Sequence, residues 1–200
     1  EDMSLRFNYL YWRMFKILKH LFERITMEFG DSDFEPCDFE LSVDRNSNVK
    51  PFTVELEDGK VELKGKIDRV DKMDKDGKRY IRIVDYKTGT KTFDLSDVFH
   101  GMNMQMLLYL VSIWRGGSGF YESITPAGIL YFPANLAHCD VGRNESEESK
   151  AKKLMARGKM NGMLVYDGES IEAMDKSKKA FFLPVTFDKK TGEVKGKFIT

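Results

Sequence analysis

The amino-acid sequence predicts an α/β fold in which a central mixed β-sheet is flanked by helices. Apolar residues recur with helical periodicity at the start of the chain and again beyond residue 95, and the stretch between them alternates apolar and polar residues between turn signals. A further apolar strand follows the second helical segment. Strands with a helix on either side bury their apolar faces best as one sheet covered by helices.

The first predicted element is an amphipathic helix over residues 5–29, where apolar residues recur at three- and four-residue spacing. Gly30 ends it, since glycine commonly follows the last helical turn. Residues 31–38 have the composition of a loop, and residues 39–43 form a short alternating strand. The sheet is therefore expected to begin at Phe39.

Two hairpin signals then predict a meander of strands. Asp58-Gly59 separates a strand over residues 52–57 from one over 60–70, and Asp76-Gly77 precedes a strand over 78–87. Asx-Gly pairs favour the positive backbone angles that tight hairpin turns need. Consecutive strands joined in this way are expected to be antiparallel neighbours.

The second half of the chain carries one strong helix and one strong strand. Helical periodicity over residues 96–114 ends at Gly116-Gly117, and residues 127–132 form an apolar run typical of a buried strand. Beyond Pro133 the pattern weakens, with a charged helical segment over 144–160 and a candidate strand over 181–187. We predict one domain over residues 1–200 with its core at about 35–135 and a less defined region at 136–200.

Composition limits the classes of function. Hydrophobic residues make up 42% of 200 residues, enough for one core, and 32 basic residues balance 32 acidic ones. Net charge therefore does not predict a nucleic-acid partner, and any such surface must be local. Cys37 and Cys139 lie far apart without a CxxC partner, which favours a reducing, cytoplasmic setting. No apolar run reaches the roughly 18 residues of a membrane span, so no membrane partner is expected.

An acidic and basic constellation lies on the two longest predicted strands. Asp85 and Lys87 are two apart and share a face of one strand, while Asp68 lies on the strand before it. Carboxylates are the ligands that hard divalent cations prefer, and an ammonium group beside them can orient a water molecule and offset phosphate charge. We predict Asp68, Asp85 and Lys87 as catalytic residues, with the backbone carbonyl of Tyr86 as a further metal ligand.

The alternative is that Asp68, Arg69 and Asp71 form surface ion pairs and that residues 85–89 are a strand running into a turn. A DxK triplet alone favours that alternative. The ordered combination of Gly-x-Ile-Asp-Arg-Val-Asp, a turn, an apolar strand and Asp-Tyr-Lys-Thr-Gly favours catalysis.

Gln105 and Tyr109 add a polar pair on the following helix. They are four residues apart and so lie on one helix face, where they can reach a nucleic-acid strand or the active-site lysine. We predict them as DNA-binding residues. The alternative, which the pair alone favours, is a solvated glutamine beside a core tyrosine.

With these residues in place, the sequence resembles the RecB-like branch of the PD-(D/E)xK nuclease superfamily. The branch carries an acidic residue on one strand, a (D/E)xK pair on the next and Gln-x-x-x-Tyr on a helix, which stand here as Asp68, Asp85-Tyr86-Lys87 and Gln105 to Tyr109. The likeness is stronger still to the nuclease domains of the AddB family, which form part of the bacterial AddAB helicase-nucleases. It implies a restriction-endonuclease-like fold and assigns Glu40 an additional metal or structural role, with a half-exposed strand carboxylate as the alternative.

The resemblance also implies an activity and partners. It indicates a deoxyribonuclease using Mg²⁺ or Mn²⁺, an exonuclease that processes DNA double-strand breaks for recombinational repair beside an AddA-like helicase-nuclease partner. The family also carries an iron–sulfur cluster, but its four-cysteine set is absent from this chain, so we expect the chain to be a piece of a longer protein. The rival hypothesis is a non-catalytic DNA-binding or assembly module that retains the nuclease fold.

Overall fold

The structure, a computed structural model, describes residues 4–89, 93–117, 119–134, 146, 148–149, 153, 158–188, 190–196 and 199. Within these residues a five-stranded mixed sheet is formed by β1 (Glu35–Val43), β4 (Gly65–Lys75), β5 (Lys78–Lys87), β6 (Ile124–Pro133) and β7 (Asn161–Leu164). In the sheet they lie in the order β1-β4-β5-β6-β7. Strands β5 and β6 are parallel and the other neighbours are antiparallel. The predicted α/β fold class is confirmed.

Helices cover both faces of the sheet. Helix α1 spans Leu5–Gly30 on one face, and α3 spans Gln105–Gly116 on the other, packed against β5 and β6. The remaining elements are short: β2 (Thr53–Leu56), β3 (Gly59–Glu62), α2 (Leu95–Phe99), a 3-10 turn (Gly119–Tyr121), α4 (Gly168–Met174), β8 (Val185–Phe187) and β9 (Val194–Gly196). Two apolar clusters fill the space on either side of the sheet.

The N-terminal helix is confirmed, but its packing is not that of a simple amphipathic helix. Leu21 and Ile25 pack against the core, whereas the apolar residues of the first turns are exposed, with Tyr9 at 65% and Trp12 at 58%. Arg24 is buried and donates to the carbonyl of Pro133 at 2.9 Å. Only the second half of α1 therefore covers the sheet, and it brings charged as well as apolar groups to the interface.

Three boundaries differ from the sequence prediction. Strand β1 begins at Glu35 instead of residue 39, because residues 35–38 pair with β4. The predicted strand over 60–70 is two strands, with β2 and β3 forming a separate hairpin whose turn residues are Glu57 and Asp58. Strand β4 restarts at Gly65, where an added Cβ would collide with Oη of Tyr109. The close approach of α3 thus requires a residue without a Cβ at position 65.

The predicted helix over 96–114 is also interrupted. Helix α2 ends at Phe99 and α3 begins at Gln105, and between them Gly101 (φ 77°) and Asn103 (φ 55°) have left-handed backbone conformations. Such angles end a helix, and glycine and asparagine adopt them at the lowest cost. The break makes Gln105 the first residue of α3.

The C-terminal third is only partly covered by the described residues. The predicted strand over 127–132 is confirmed within β6, and the candidate strand over 181–187 is confirmed only at Val185–Phe187. Strand β7 and helix α4 were not predicted. Most of the charged segment over 144–160 and Cys139 lie outside the described residues.

Candidate active site

The candidate site lies where the β4–β5 ladder ends. The last paired residues are Arg69 and Val84, so Asp68 and Asp85 stand one step beyond the ladder. There the Asp68 carboxylate replaces a backbone acceptor: its Oδ2 accepts a hydrogen bond from the Tyr86 amide at 2.8 Å. Because Tyr86 follows Asp85 directly, this bond holds the first carboxylate against the chain segment that carries the second.

Lys87 completes the constellation. Its Nζ lies 2.5 Å from Oδ2 of Asp85, with the two side chains 33% and 18% exposed. The pair is therefore neither a solvated surface ion pair nor a fully buried one, and solvent can reach it. The structure thus brings the Asp68 carboxylate to the backbone segment that carries the Asp85–Lys87 ion pair, at the carboxyl end of β5.

Strand β6 lines the site with Tyr131, a residue that the sequence analysis did not predict to be part of it. Tyr131 is opposite Asp85 in the parallel register, and its ring centroid lies 5.9 Å from Nζ of Lys87. Burial raises the pKa of Tyr131 to about 12, and the Asp85 carboxylate adds to that rise because it disfavours a second negative charge. Tyr131 thus remains a neutral, apolar boundary of the site. Only the strand register reveals it, since the sequence shows an ordinary core aromatic.

Helix α3 approaches the site through Tyr109. Its hydroxyl accepts a hydrogen bond from Nε2 of Gln105 at 2.8 Å and lies against the backbone of Gly65, three residues before Asp68. Tyr109 is 2% exposed, whereas Gln105 is exposed. The structure therefore places Tyr109 in the core, and direct contact with a nucleic-acid strand is open to Gln105 alone of the two.

Glu40 lies on β1 between residues paired with Arg69 and Ile67, which is the level of Asp68. Its backbone is left-handed (φ 50°), its side chain is 67% exposed, and its carboxylate lies 3.5 Å from Nζ of Lys66. No set of three or more His, Cys, Asp or Glu side chains within the described ranges is arranged to hold a metal ion. The metal role of Glu40 therefore stays a prediction. The candidate donor groups that remain are the carboxylates of Asp68 and Asp85 and the backbone carbonyl of Tyr86.

Those donors suit a hard divalent cation. Two carboxylates with the Tyr86 carbonyl between Asp85 and Lys87 form an all-oxygen set, the kind that Mg²⁺ and Mn²⁺ prefer. Magnesium is commonly held by only one or two carboxylates, with water and substrate phosphates as its other ligands. The residues present fit such an ion.

Cys37 does not fit an iron–sulfur site. Its thiol donates to the carbonyl of Val70 at 3.3 Å, and burial, followed by the neighbouring Asp38 carboxylate, raises its pKa to about 12. Thiolate ligands must be deprotonated, so a thiol held in this way is a poor ligand.

The surface ion pairs of the alternative hypothesis are not found among the described residues. Arg69 and Asp71 are both fully buried on the opposite face of the sheet, and they pair with each other instead of with Asp68. Asp68 is half-buried and turned to the Tyr86 amide. The alternation of β4 separates the two sets of charges onto different faces.

Comparison with known proteins agrees with the geometry. The model of the PD-(D/E)XK nuclease superfamily matches residues 4–182. The B subunit of the "ATP-dependent helicase/deoxyribonuclease" from Clostridium acetobutylicum is 38% identical over 177 residues, which cover 88% of this chain and 15% of that protein. The proteins of the same name from Acetivibrio thermocellus and Ruminiclostridium cellulolyticum are each 34% identical, over 93% and 97% of this chain and 17% of their own length. The chain thus spans less than a fifth of these relatives.

Proposed function

This chain belongs to the PD-(D/E)XK nuclease superfamily, and we propose that it is a metal-dependent deoxyribonuclease domain that hydrolyses phosphodiester bonds. The observation that carries the proposal is the convergence of Asp68, Asp85 and Lys87 at the end of the β4–β5 ladder. The Asp68 carboxylate is bound to the Tyr86 amide, and the ammonium of Lys87 lies against Asp85. The Asp85 and Lys87 side chains are partly exposed beside the buried Tyr131, so a substrate phosphate can reach them.

Each residue has a role that follows from its chemistry. Asp68 and Asp85, together with the Tyr86 carbonyl, would hold the cation. A bound Mg²⁺ or Mn²⁺ would neutralise phosphate charge and increase the acidity of a coordinated water. Lys87 orients the attacking water and offsets negative charge on the phosphoryl oxygens. Gln105, exposed at the start of α3, contacts the DNA strand, and Tyr109 fixes its amide from below.

The relatives suggest the biological setting. Their name joins a helicase and a deoxyribonuclease. We infer that the domain acts as an exonuclease on DNA ends during double-strand-break processing and recombinational repair, in the cytoplasm, beside an AddA-like partner. In the part of the chain that the structure describes, no helix combines the length and apolar character needed to cross a bilayer.

The test is a nuclease assay with matched variants. The purified chain is incubated with linear single- and double-stranded DNA with Mg²⁺, with Mn²⁺ or with a chelator. We expect cleavage only with metal, and Asp85→Ala and Lys87→Ala should lower the rate at least about a thousandfold, or about 4 kcal/mol of barrier. Asp76→Asn at the exposed hairpin tip is the control and should cleave like the unaltered chain, because asparagine tolerates its left-handed φ of 50°.

Calorimetric titration with Mn²⁺ separates catalysis from a purely structural domain. We expect binding that is lost in Asp68→Ala and in Asp85→Ala. Binding that does not depend on these carboxylates, or equal cleavage by all variants, would contradict the proposal and favour the non-catalytic module.

A further inference from the structure

A buried charge network lies directly behind the candidate site, on the face of the sheet covered by α1. It consists of Glu28, Arg69, Asp71 and Arg82, whose side chains are 0–1% exposed. Oε1 of Glu28 lies 2.8 Å from Arg69 and 2.7 Å from Arg82, and the carboxylate of Asp71 lies 2.9 Å from Arg69 and 2.8 Å from Arg82. Each carboxylate thus contacts both guanidinium groups, and the four charges sum to zero.

The network extends one contact further, to the residue in the middle of the site. Nη1 of Arg69 donates to Oη of Tyr86 at 2.8 Å, and the guanidinium lies 5.6 Å from the centre of the Tyr86 ring. Arg69 also packs over Phe29 of α1 at 5.0 Å. The neighbours of Arg69 and Tyr86 in the chain are the candidate metal ligands Asp68 and Asp85.

This contact acts where the backbone ladder has ended. The pairing of β4 with β5 stops at Arg69 and Val84, and beyond it the Asp68 side chain bonds the Tyr86 amide. The side-chain contact of Arg69 with Tyr86 on the α1 face and the bond from the Tyr86 backbone amide to Asp68 therefore both join the two strand ends. We call the contact between Arg69 and Tyr86 the clamp. Because Arg69 also contacts Glu28 and Asp71, the clamp is connected to α1 as well as to the sheet.

We propose that Arg69 and Tyr86 are positioning residues that set the spacing of the Asp68 and Asp85 carboxylates for the divalent cation. The inference rests on the proposed metal-dependent nuclease function. Neither residue touches substrate, since Arg69 is fully buried and the Tyr86 hydroxyl points into the network. They act through the backbone of β4 and β5, as groups behind a metal ligand commonly do.

The variant that tests the clamp is Tyr86→Phe, with Tyr80→Phe as its control. Both tyrosines lie on β5 and each hydroxyl makes one hydrogen bond, Tyr86 with Arg69 at 2.8 Å and Tyr80 with Asp167 at 3.0 Å. They lie six positions apart on one strand, so they share a face of the sheet, but only Tyr86 adjoins the site. Each change removes one oxygen and keeps the ring.

The measurement is Mn²⁺ affinity by calorimetry in the whole 200-residue chain, with the thermal midpoint of unfolding for each variant. We expect Tyr86→Phe to weaken Mn²⁺ binding about tenfold and to raise the Mn²⁺ concentration for half-maximal cleavage equally. Tyr80→Phe should leave both unchanged although its unfolding midpoint falls by a similar amount.

Three outcomes would overturn the inference; the first two leave the proposed function standing, and the third is the failure of that function itself. If Tyr86→Phe binds Mn²⁺ like the unaltered chain while Asp85→Ala does not, the site is real but the clamp is not. If Tyr86→Phe and Tyr80→Phe weaken binding alike, the effect is general destabilisation. If the unaltered chain binds no Mn²⁺, the proposed function fails and the inference fails with it.

Discussion

The two faces of the β4–β5 strand pair carry similar groups in opposite situations. On the α1 face, two acidic and two basic side chains are 0–1% exposed and contact one another in a closed set. On the α3 face, the Asp85 and Lys87 side chains remain 18% and 33% exposed, and Asp68 bonds a backbone amide. A cluster of charges is therefore not by itself a functional site, because charges that are buried and paired with one another cannot meet a ligand from outside.

The charges around one tyrosine on each face affect its pKa in opposite directions. Burial raises the pKa of Tyr86, but the guanidinium of Arg69 opposes that rise. At Tyr131 burial raises the pKa and the Asp85 carboxylate adds to the rise. Burial lowers the pKa of Arg69, yet Asp71 and Glu28 more than reverse this, so the arginine stays charged. The α1 face compensates its charges internally, whereas the site face keeps a negative charge that a cation can neutralise.

The largest expected effect on stability comes from removing one carboxylate of the buried charge network. Asp71→Ala should destabilise the fold by about 3–5 kcal/mol, because it leaves two buried guanidinium groups with one carboxylate between them. Chemical denaturation followed by circular dichroism measures the change.

Asp74→Ala is the matched control for this substitution. Asp74 is three residues along the same strand and pairs with Arg79 at 2.7 Å, but its side chain is 49% exposed. A pair so exposed contributes about 0–1 kcal/mol. Equal losses of unfolding free energy in the two variants would mean that burial does not strengthen the network, and they would contradict the contrast between the two faces.

A smaller effect is expected from the support of the site face by α3. Gly65→Ala places a methyl group where Oη of Tyr109 lies and should cost about 1–3 kcal/mol, with weaker Mn²⁺ binding if α3 shifts away from β4. Adding Tyr109→Phe removes the overlapping oxygen and should recover part of the loss. Denaturant midpoints and Mn²⁺ titration measure both effects.

Gly168→Ala is the control for the glycine change, since nothing lies within 4 Å of its added Cβ. It should be neutral, or it should stabilise the fold by up to about 1 kcal/mol because alanine lowers the conformational entropy of the unfolded chain. A loss at Gly168 as large as at Gly65 would remove the packing explanation.

The smallest effect near neutral pH concerns Tyr131. Its pKa of about 12 lies above the ordinary value of 10.0, so its contribution to stability is complete below pH 10 and is lost as the pH rises toward 12. The difference in phenolate absorbance between the unaltered chain and Tyr131→Phe, without metal, should therefore rise near pH 12. A difference that rises near pH 10 would show an exposed phenol and would separate Tyr131 from the site.

Much of this arrangement follows from local sequence. The helix over 5–29, the turn at Asp76-Gly77, the strand over 78–87 and the buried strand over 127–132 were predicted because each has a strong period or turn signal. The convergence of Asp68 with the Asp85–Lys87 segment followed from pairing consecutive strands.

Other features depended on contacts between distant residues. The need for a glycine at residue 65 depends on the position of Tyr109, and Glu28 meets Arg69 across 41 residues of chain. The break between α2 and α3 at Gly101 and Asn103 has no signal strong enough to outweigh the helical period around it.

The sequence by itself determined which residues carry charge and, through the two-residue period of a strand, that Asp85 and Lys87 share a face. Only the tertiary structure decided which face is closed and which is open. Exposure depends on the helix that covers each face, and α1 brings Glu28 to complete one set of charges while α3 brings Tyr109 and leaves the other set open. That choice is made by packing between distant segments, which no local pattern records.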